Sequence, residues 1–210
     1  MLTPADYDNT VAPLRRALAR FSARRLDAAS LKLRAAAVAI VVVATPEPAV
    51  LVTLRTPSLR QHAGQFALPG GGVDAGESVD QAAAREVREE LGLVLHTHHQ
   101  LGRLDDYQTR SGYCISSLVY GCPDPSGLAP NASEVARVFS VPFSELVSYA
   151  IPLFEPGASE DKPVLYSDLP SIGTPMYAPT AALLYQFREV ALLGRATRID
   201  GFDQPRFAWR

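Results

Sequence analysis

Lysine is almost missing from this chain of 210 residues: Lys32 and Lys162 are the only two. Arginine carries nearly all the positive charge, and no function is drawn from that bias. Positive charge is not in excess either. Lys and Arg total 20 against 22 Asp and Glu, a formal net charge of −2, which leaves no basic footprint for nucleic acid. Cysteine is scarce. Cys114 and Cys122 form no CxxC spacing, which argues against a disulfide framework or a cysteine metal site and makes a reducing compartment the expectation. Long apolar runs are lacking as well. Val38–Ala44 is too short to span a bilayer. The opening MLTPADYDNT is acidic and polar, unlike a signal peptide, and the closing FAWR is not a peroxisomal SKL-type signal. The expectation by elimination is a cytoplasmic protein with neither nucleic acid nor membrane as partner. Internal repeats and low-complexity segments are also lacking.

What is present suits one domain with extensions over residues 1–210. The hydrophobic share is 47%, ordinary for a globular chain. Residues 11–26 place Leu14, Leu18 and Phe21 among arginines and predict an amphipathic N-terminal helix. Ala35–Ala44 and Ala49–Leu54 read as strands, joined through Pro46-Glu47-Pro48 as a hairpin. A loop through residues 55–76 follows. Further strands are expected at Gln100–Asp106, Cys114–Gly121 and Val135–Val141, and a helix starting over Ser144–Tyr149. Residues 152–179, rich in proline and glycine, read as a long loop or irregular strand region. Thr180–Leu193 reads as a C-terminal helix. Strands alternating with a few helices argue for an α/β layered domain.

The most informative stretch is residues 71–93, GGVDAGESVDQAAAREVREELGL. Ser78 and Gln81 form a capping box that starts a helix, and Gly92 is placed to end it. At about 100° per residue, Glu86, Glu89 and Glu90 share one sector, with Ala83, Ala84, Val87 and Leu91 on the adjoining one. Like charges at this spacing repel by a few tenths of a kcal/mol per pair. A cation among them would offset that cost, and a hard divalent ion with oxygen ligands fits best. The bland alternative is a solvated acidic face. It explains the glutamates but not the spaced glycines, Glu77 and Arg85 together.

The pattern G-x5-E-x7-R-E-U-x-E-E-x-G-U, with U a bulky aliphatic, resembles the Nudix box at every fixed position: Gly71, Glu77, Arg85, Glu86, Val87, Glu89, Glu90, Gly92 and Leu93. Directly before it, LVTLRTPSLRQHAGQFALPGG at 51–71 is similar to a motif of Nudix enzymes that cleave coenzyme A. It departs at Val52, Thr56 and Leu68, where that motif has leucine, serine or alanine, and phenylalanine. Two further segments resemble the same subfamily: Thr109–Tyr113, and the run from Asn131 and Glu134 to Pro142. On their own residues, Ser111 and Gly112 read as an ordinary turn.

The resemblance implies a Nudix fold, a mixed β-sheet sandwiched between α-helices. It implies hydrolysis of the diphosphate of coenzyme A or an acyl derivative with Mg2+ or Mn2+. Glu86 and Glu90 are the expected metal ligands, joined by Glu89 and the Gly70 carbonyl. Glu89 and Glu134 are the candidates for general base. Arg85 holds the glutamates and Glu77 partners it. Arg55, Arg60, His62, Gly64, Ser111 and Gly112 are the substrate-binding candidates, because guanidinium forks suit phosphate oxygens. At least one of the two arginines is expected to read a phosphate beyond the scissile pair. Two alternatives stand beside this reading. One is a Nudix hydrolase of another nucleoside diphosphate derivative, such as ADP-ribose or a dinucleotide. The other is a non-catalytic ligand-binding Nudix module. A second copy of the chain, in a homodimer, is admitted as a partner.

Overall fold

The computed structural model describes residues 3–59, 62–148, 151–159 and 162–209. In chain order its strands are β1 (Arg34–Val43), β2 (Ala49–Arg55), β3 (Phe66–Ala67), β4 (Gly70–Gly72), β5 (Gln100–Arg103), β6 (Tyr107–Gln108), β7 (Tyr113–Cys122), β8 (Val135–Pro142), β9 (Leu153–Ser159), β10 (Lys162–Asp168) and β11 (Pro175–Tyr177). The helices are α1 (Pro4–Arg20), α2 (Val79–Leu91), α3 (Phe143–Leu146) and α4 (Thr180–Phe187). Strands β1 to β8 form one mixed sheet, and β9 to β11 a separate antiparallel one.

Strand β1 organises the large sheet. It runs parallel to β7 over its whole length, from Arg34 opposite Tyr113 to Val43 opposite Cys122. Its far end turns back into β2, with Val42 opposite Val50. Its near end takes β4 antiparallel, with Ala36 opposite Gly72 and Val38 opposite Gly70. Successive side chains of a strand point to opposite faces. Ala37, Ala39, Val41 and Val43 accordingly pack with Ala82, Ala83, Val87 and Leu91 of α2. Ile40 and Val42 pack in a second core with Val11, Leu14 and Leu18 of α1 and with Leu183 and Phe187 of α4. The sheet thus lies between α2 on one face and α1 and α4 on the other, the expected sandwich.

Helix α2 begins and ends where the sequence signals it. Ser78 accepts from the Gln81 amide, the Gln81 side chain reaches back to the Ser78 amide, and Gly92 is the C-cap. Its buried alanines are Ala82 and Ala83, rather than Ala83 and Ala84.

Other expectations are corrected. The N-terminal helix spans Pro4–Arg20, not residues 11–26. Thr3 and Asp6 form its capping box with proline in the first turn. Beyond Arg20 the chain is extended, because the Arg24 and Leu26 amides donate to the Asp105 and Asp106 carboxylates. Strand β5 ends at Arg103, short of the expected Asp106. The loop 55–76 contains the short strands β3 and β4. Residues 152–179 hold all three strands of the antiparallel sheet, the strand alternative of the expectation rather than the long loop. Val164 and Leu165 of its central strand are buried. Pro175 starts β11 and Pro163 is second in β10, while Pro156 lies inside β9, an edge strand whose pairing with β10 shifts register, where a missing N–H costs little. The helix expected from Ser144 is the single turn α3, and Tyr149 lies outside the described residues. The C-terminal helix is α-helical to Phe187, then continues over Arg188–Leu192 with π-helical hydrogen bonds.

Candidate active site

The acidic cluster is organised by one guanidinium. Every N–H of Arg85 is used. Nε donates to Glu77 Oε1 at 3.0 Å, Nη1 to Glu86 Oε1 at 2.7 Å and Glu89 Oε2 at 3.0 Å, and Nη2 to the Gly72 carbonyl at 3.0 Å and Glu77 Oε2 at 3.1 Å. Five donors in a rigid fork are what arginine has and lysine lacks. The fork ties the first turn of the box, β4 and the second half of α2 into one unit. Arg85 holds the Glu77 carboxyl below its ordinary range, helped by the Asp74 amide.

Glu90 has a different environment. It is 2% exposed. Arg55 Nη1 lies 3.5 Å from its Oε1, and its Oε2 is buried with no hydrogen-bond partner. Burial pushes its carboxyl up to about 8, with Arg55 and the Gly70 amide pulling the other way and Glu86 and Glu134 adding to the rise. Burial also raises Glu86, against the pull of Arg85 and with Glu89 and Glu134 adding to it. Glu134 therefore stands within electrostatic reach of both, and Asn131 donates to its carboxylate at 3.4 Å.

Among the described residues no three acidic, histidine or thiol groups form a ready metal cage. Arg85 occupies the middle of the cluster and draws Glu86 and Glu89 to itself. The donor set nonetheless fits a hard divalent cation. It consists of carboxylate oxygens, and one of them, Glu90 Oε2, is buried without a partner.

On the other side of β4 lies a cleft of about 290 Å³. Its floor is Ala36 and Val38 of β1 with Tyr113 and Ile115 of β7. Arg55, His62, Phe66, Leu68, Ser111 and the three glycines of β4 also line it. The glycines explain how cleft and carboxylates meet. A Cβ on Gly71 would collide with the Glu86 carboxylate, so β4 is a wall one backbone thick. Arg55 spans it, lining the cleft while contacting Glu90.

A prediction follows from that wall. In Gly71→Ala the added methyl meets the end of a flexible side chain rather than backbone. Stability should fall by no more than about 1 kcal/mol, while displacement of Glu86 should lower kcat/KM by about tenfold or more. Thermal melts and steady-state kinetics on one preparation check this. Equal activity in the variant would detach Glu86 from the site.

The remaining expected residues are placed as follows. His62 lines the cleft and pairs with Gln65 at 3.2 Å. Ser111 lines it too and shares a hydrogen bond with Thr109. Gly64 and Gly112 do not line it. They are turn positions with φ of +67° and +85° behind His62 and Ser111. Arg60 lies outside the described residues. Residues missed in the sequence complete the wall: Gln65, Pro179, Thr180 and Gln204. Gln204 comes from the C-terminal segment, where Asp203 binds Arg110 at 2.9 and 3.0 Å. No spacing in the chain signals that approach.

The NUDIX domain profile matches residues 33–166, more than half the chain. The chain is 38% identical over 116 residues to the uncharacterized Nudix hydrolase NudL of Photorhabdus laumondii, covering 55% of this chain and 62% of that one. NudL of Yersinia pestis is 39% identical over 116 residues, covering 55% and 58%. The chain therefore spans about three-fifths of the length of the curated relatives it matches. Among solved structures, a MutT NUDIX hydrolase from Burkholderia pseudomallei superposes with TM-score 0.47 at 22% identity, covering 73% of this chain and 96% of that one. The MutT protein of Methanosarcina mazei gives 0.44 at 20%, covering 60% and 83%. With the profile, the box and the sheet in agreement, the chain belongs to the Nudix hydrolase family.

Proposed function

We propose that this chain hydrolyses the diphosphate linkage of coenzyme A or an acyl derivative. The products are 4′-phosphopantetheine, or its acyl form, and adenosine 3′,5′-bisphosphate. The observation that carries the reading is Arg55. It belongs to the 51–71 motif, lines the cleft and contacts Glu90, so one residue joins the substrate-recognition segment to the acidic centre. The cleft also offers an apolar floor beside polar groups, the usual composition of a small-molecule site.

Glu86 and Glu90 would hold Mg2+ or Mn2+, with Glu89 and the Gly70 carbonyl as further donors. When bound, such an ion neutralises phosphate charge and lowers the pKa of a coordinated water. Arg55 binds diphosphate oxygens and compensates the Glu90 charge. Arg85 and Glu77 keep the carboxylates in register. Glu89 or Glu134 takes the proton of the attacking water. One water is consumed and one phosphorus–oxygen bond of the diphosphate is broken.

The test is a substrate panel with Mg2+ or Mn2+: coenzyme A, an acyl-coenzyme A, ADP-ribose and a dinucleoside polyphosphate, with products weighed by mass spectrometry. Phosphopantetheine and adenosine 3′,5′-bisphosphate should form fastest. Tenfold faster cleavage of ADP-ribose or the dinucleotide would replace this substrate with that one. Binding without turnover of any of them would make the chain a ligand-binding module.

A further inference from the structure

The arginines around the cleft are not equivalent. Arg85 has spent all five donors on the acidic cluster. Arg55 is engaged with Glu90. Arg110 grips Asp203 through two nitrogens. Arg34, which no sequence motif singled out, is placed differently. It starts β1, and the parallel register sets it beside Tyr113. It shares a face with Ala36 and Val38, both in the cleft floor. Its Cζ lies 3.8 Å above the centroid of the Tyr113 ring, and Tyr113 itself lines the cleft. Its Nη2 donates to the carbonyl of Ser111 at 3.0 Å. Among the described residues no carboxylate pairs with it.

These contacts fix the plane of the guanidinium without neutralising it. Stacking on the ring and one bond to a backbone carbonyl hold the group, and one fork edge keeps its donors. A planar fork held this way matches two oxygens of a phosphate. Position adds a second argument. Val38 lies opposite Gly70, next to Glu90, and Arg34 is four residues further along the strand. At the rise of a strand that is about 13 Å. Arg34 is exposed and outside the cleft lining itself; it thus stands at the rim beside Tyr113, beyond the end of the floor far from the scissile centre, about a nucleotide's length away.

We infer that Arg34 is a specificity-determining residue that binds a phosphomonoester carried by the substrate beyond the scissile diphosphate. The inference rests on the diphosphatase reading and deepens it. It also departs from the expectation that Arg55 or Arg60 reads the extra phosphate: that reader is Arg34, and the place of Arg55 beside Glu90 suits the scissile diphosphate.

The test uses substrate pairs that differ by one phosphate: coenzyme A against dephospho-coenzyme A, and NADPH against NADH. Wild type should prefer the phosphorylated member of at least one pair. Arg34→Gln should lower kcat/KM for that member about tenfold or more, mainly through KM, and leave the other member within about twofold. Arg34→Lys keeps the charge and loses the fork, so it should recover only part of the preference. Arg137 is the control. It stacks on Phe139 at 4.5 Å, a ring outside the cleft lining, and Arg137→Gln should leave every ratio unchanged. Equal losses on both members in Arg34→Gln would mean that Arg34 only braces the 109–113 loop. No change on either, or no phosphate preference in wild type, would also overturn the inference. Failure of the coenzyme A reading is separate. It would show as preference within the NADPH pair with coenzyme A left uncut, and Arg34 would then be judged on that pair.

Discussion

Glu90→Gln is expected to lower turnover by about 10³-fold or more while the fold stays intact. Glu90 is the most buried carboxylate of the acidic cluster, and its Oε2 has no partner within the protein. An amide there keeps the shape and the contact with Arg55 but is a poor donor to a hard cation. The measurement is kcat at saturating Mn2+, with circular dichroism to confirm the fold. Activity within a few-fold of wild type would remove Glu90 from the reacting centre.

The same variant makes a second, opposite-signed readout available. Burial raises the folded carboxyl to about 8 from its ordinary 4.5. A carboxyl raised on folding contributes stability that is fully present below its unfolded value and is lost as pH rises through the folded one. In chelator, wild type should therefore lose stability between about pH 4.5 and 8 relative to Glu90→Gln, which has no proton to lose. The gap should reach several kcal/mol, at most about 5, at pH 9 and shrink at pH 5. Thermal melts of both proteins across this range decide it. A pH-independent difference would mean that Glu90 is charged throughout.

How far the sequence could be read follows the range of the interactions. The cap of α2, its C-terminal glycine and the cluster of Glu86, Glu89 and Glu90 depend on neighbours within one or two turns, so spacing alone reveals them. The near-continuous burial of β1 is legible in the same way from its apolar run. Burial of Glu90 is not. A helical projection puts it with Glu86 and Glu89, whereas the Gly70 amide and Arg55 draw it inward from 20 and 35 positions away. Arg55 reads in the sequence as a phosphate ligand, and only the fold shows its carboxylate partner. The extended run after α1 depends on Asp105 and Asp106, about 80 positions on, which is why periodicity carried that helix too far. Residues 152–179 look loop-like because proline and glycine outweigh a short alternation, yet pairing between neighbouring strands settles them as a sheet. Gln204 joins the cleft lining, and Arg34 stacks on Tyr113, through tertiary contacts that leave no local pattern.

Arg85→Lys is expected to behave nearly as badly as Arg85→Ala, although it preserves the charge. Five N–H groups of Arg85 meet Glu77, Glu86, Glu89 and the Gly72 carbonyl. An ammonium has three donors and no planar fork, so it cannot hold the loop before α2 and two positions of α2 together. With the fork gone, Glu86 and Glu89 face each other and Glu134 with less compensation. Charge repulsion should then favour the protonated form of Glu86, already raised by burial, and weaken metal binding. The side chain is 23% exposed, so solvent screens part of the pairing, and the stability loss should stay near 2 kcal/mol, a fall in Tm of about 4–8 °C. The catalytic loss should be larger, about 10²-fold in kcat/KM, because a small displacement of carboxylates costs more in rate than in folding. A metal titration of activity separates the causes. The metal concentration at half-maximal activity should rise in both variants. If Arg85→Lys keeps wild-type activity and metal response, charge alone organises the cluster and the fork has no part in it.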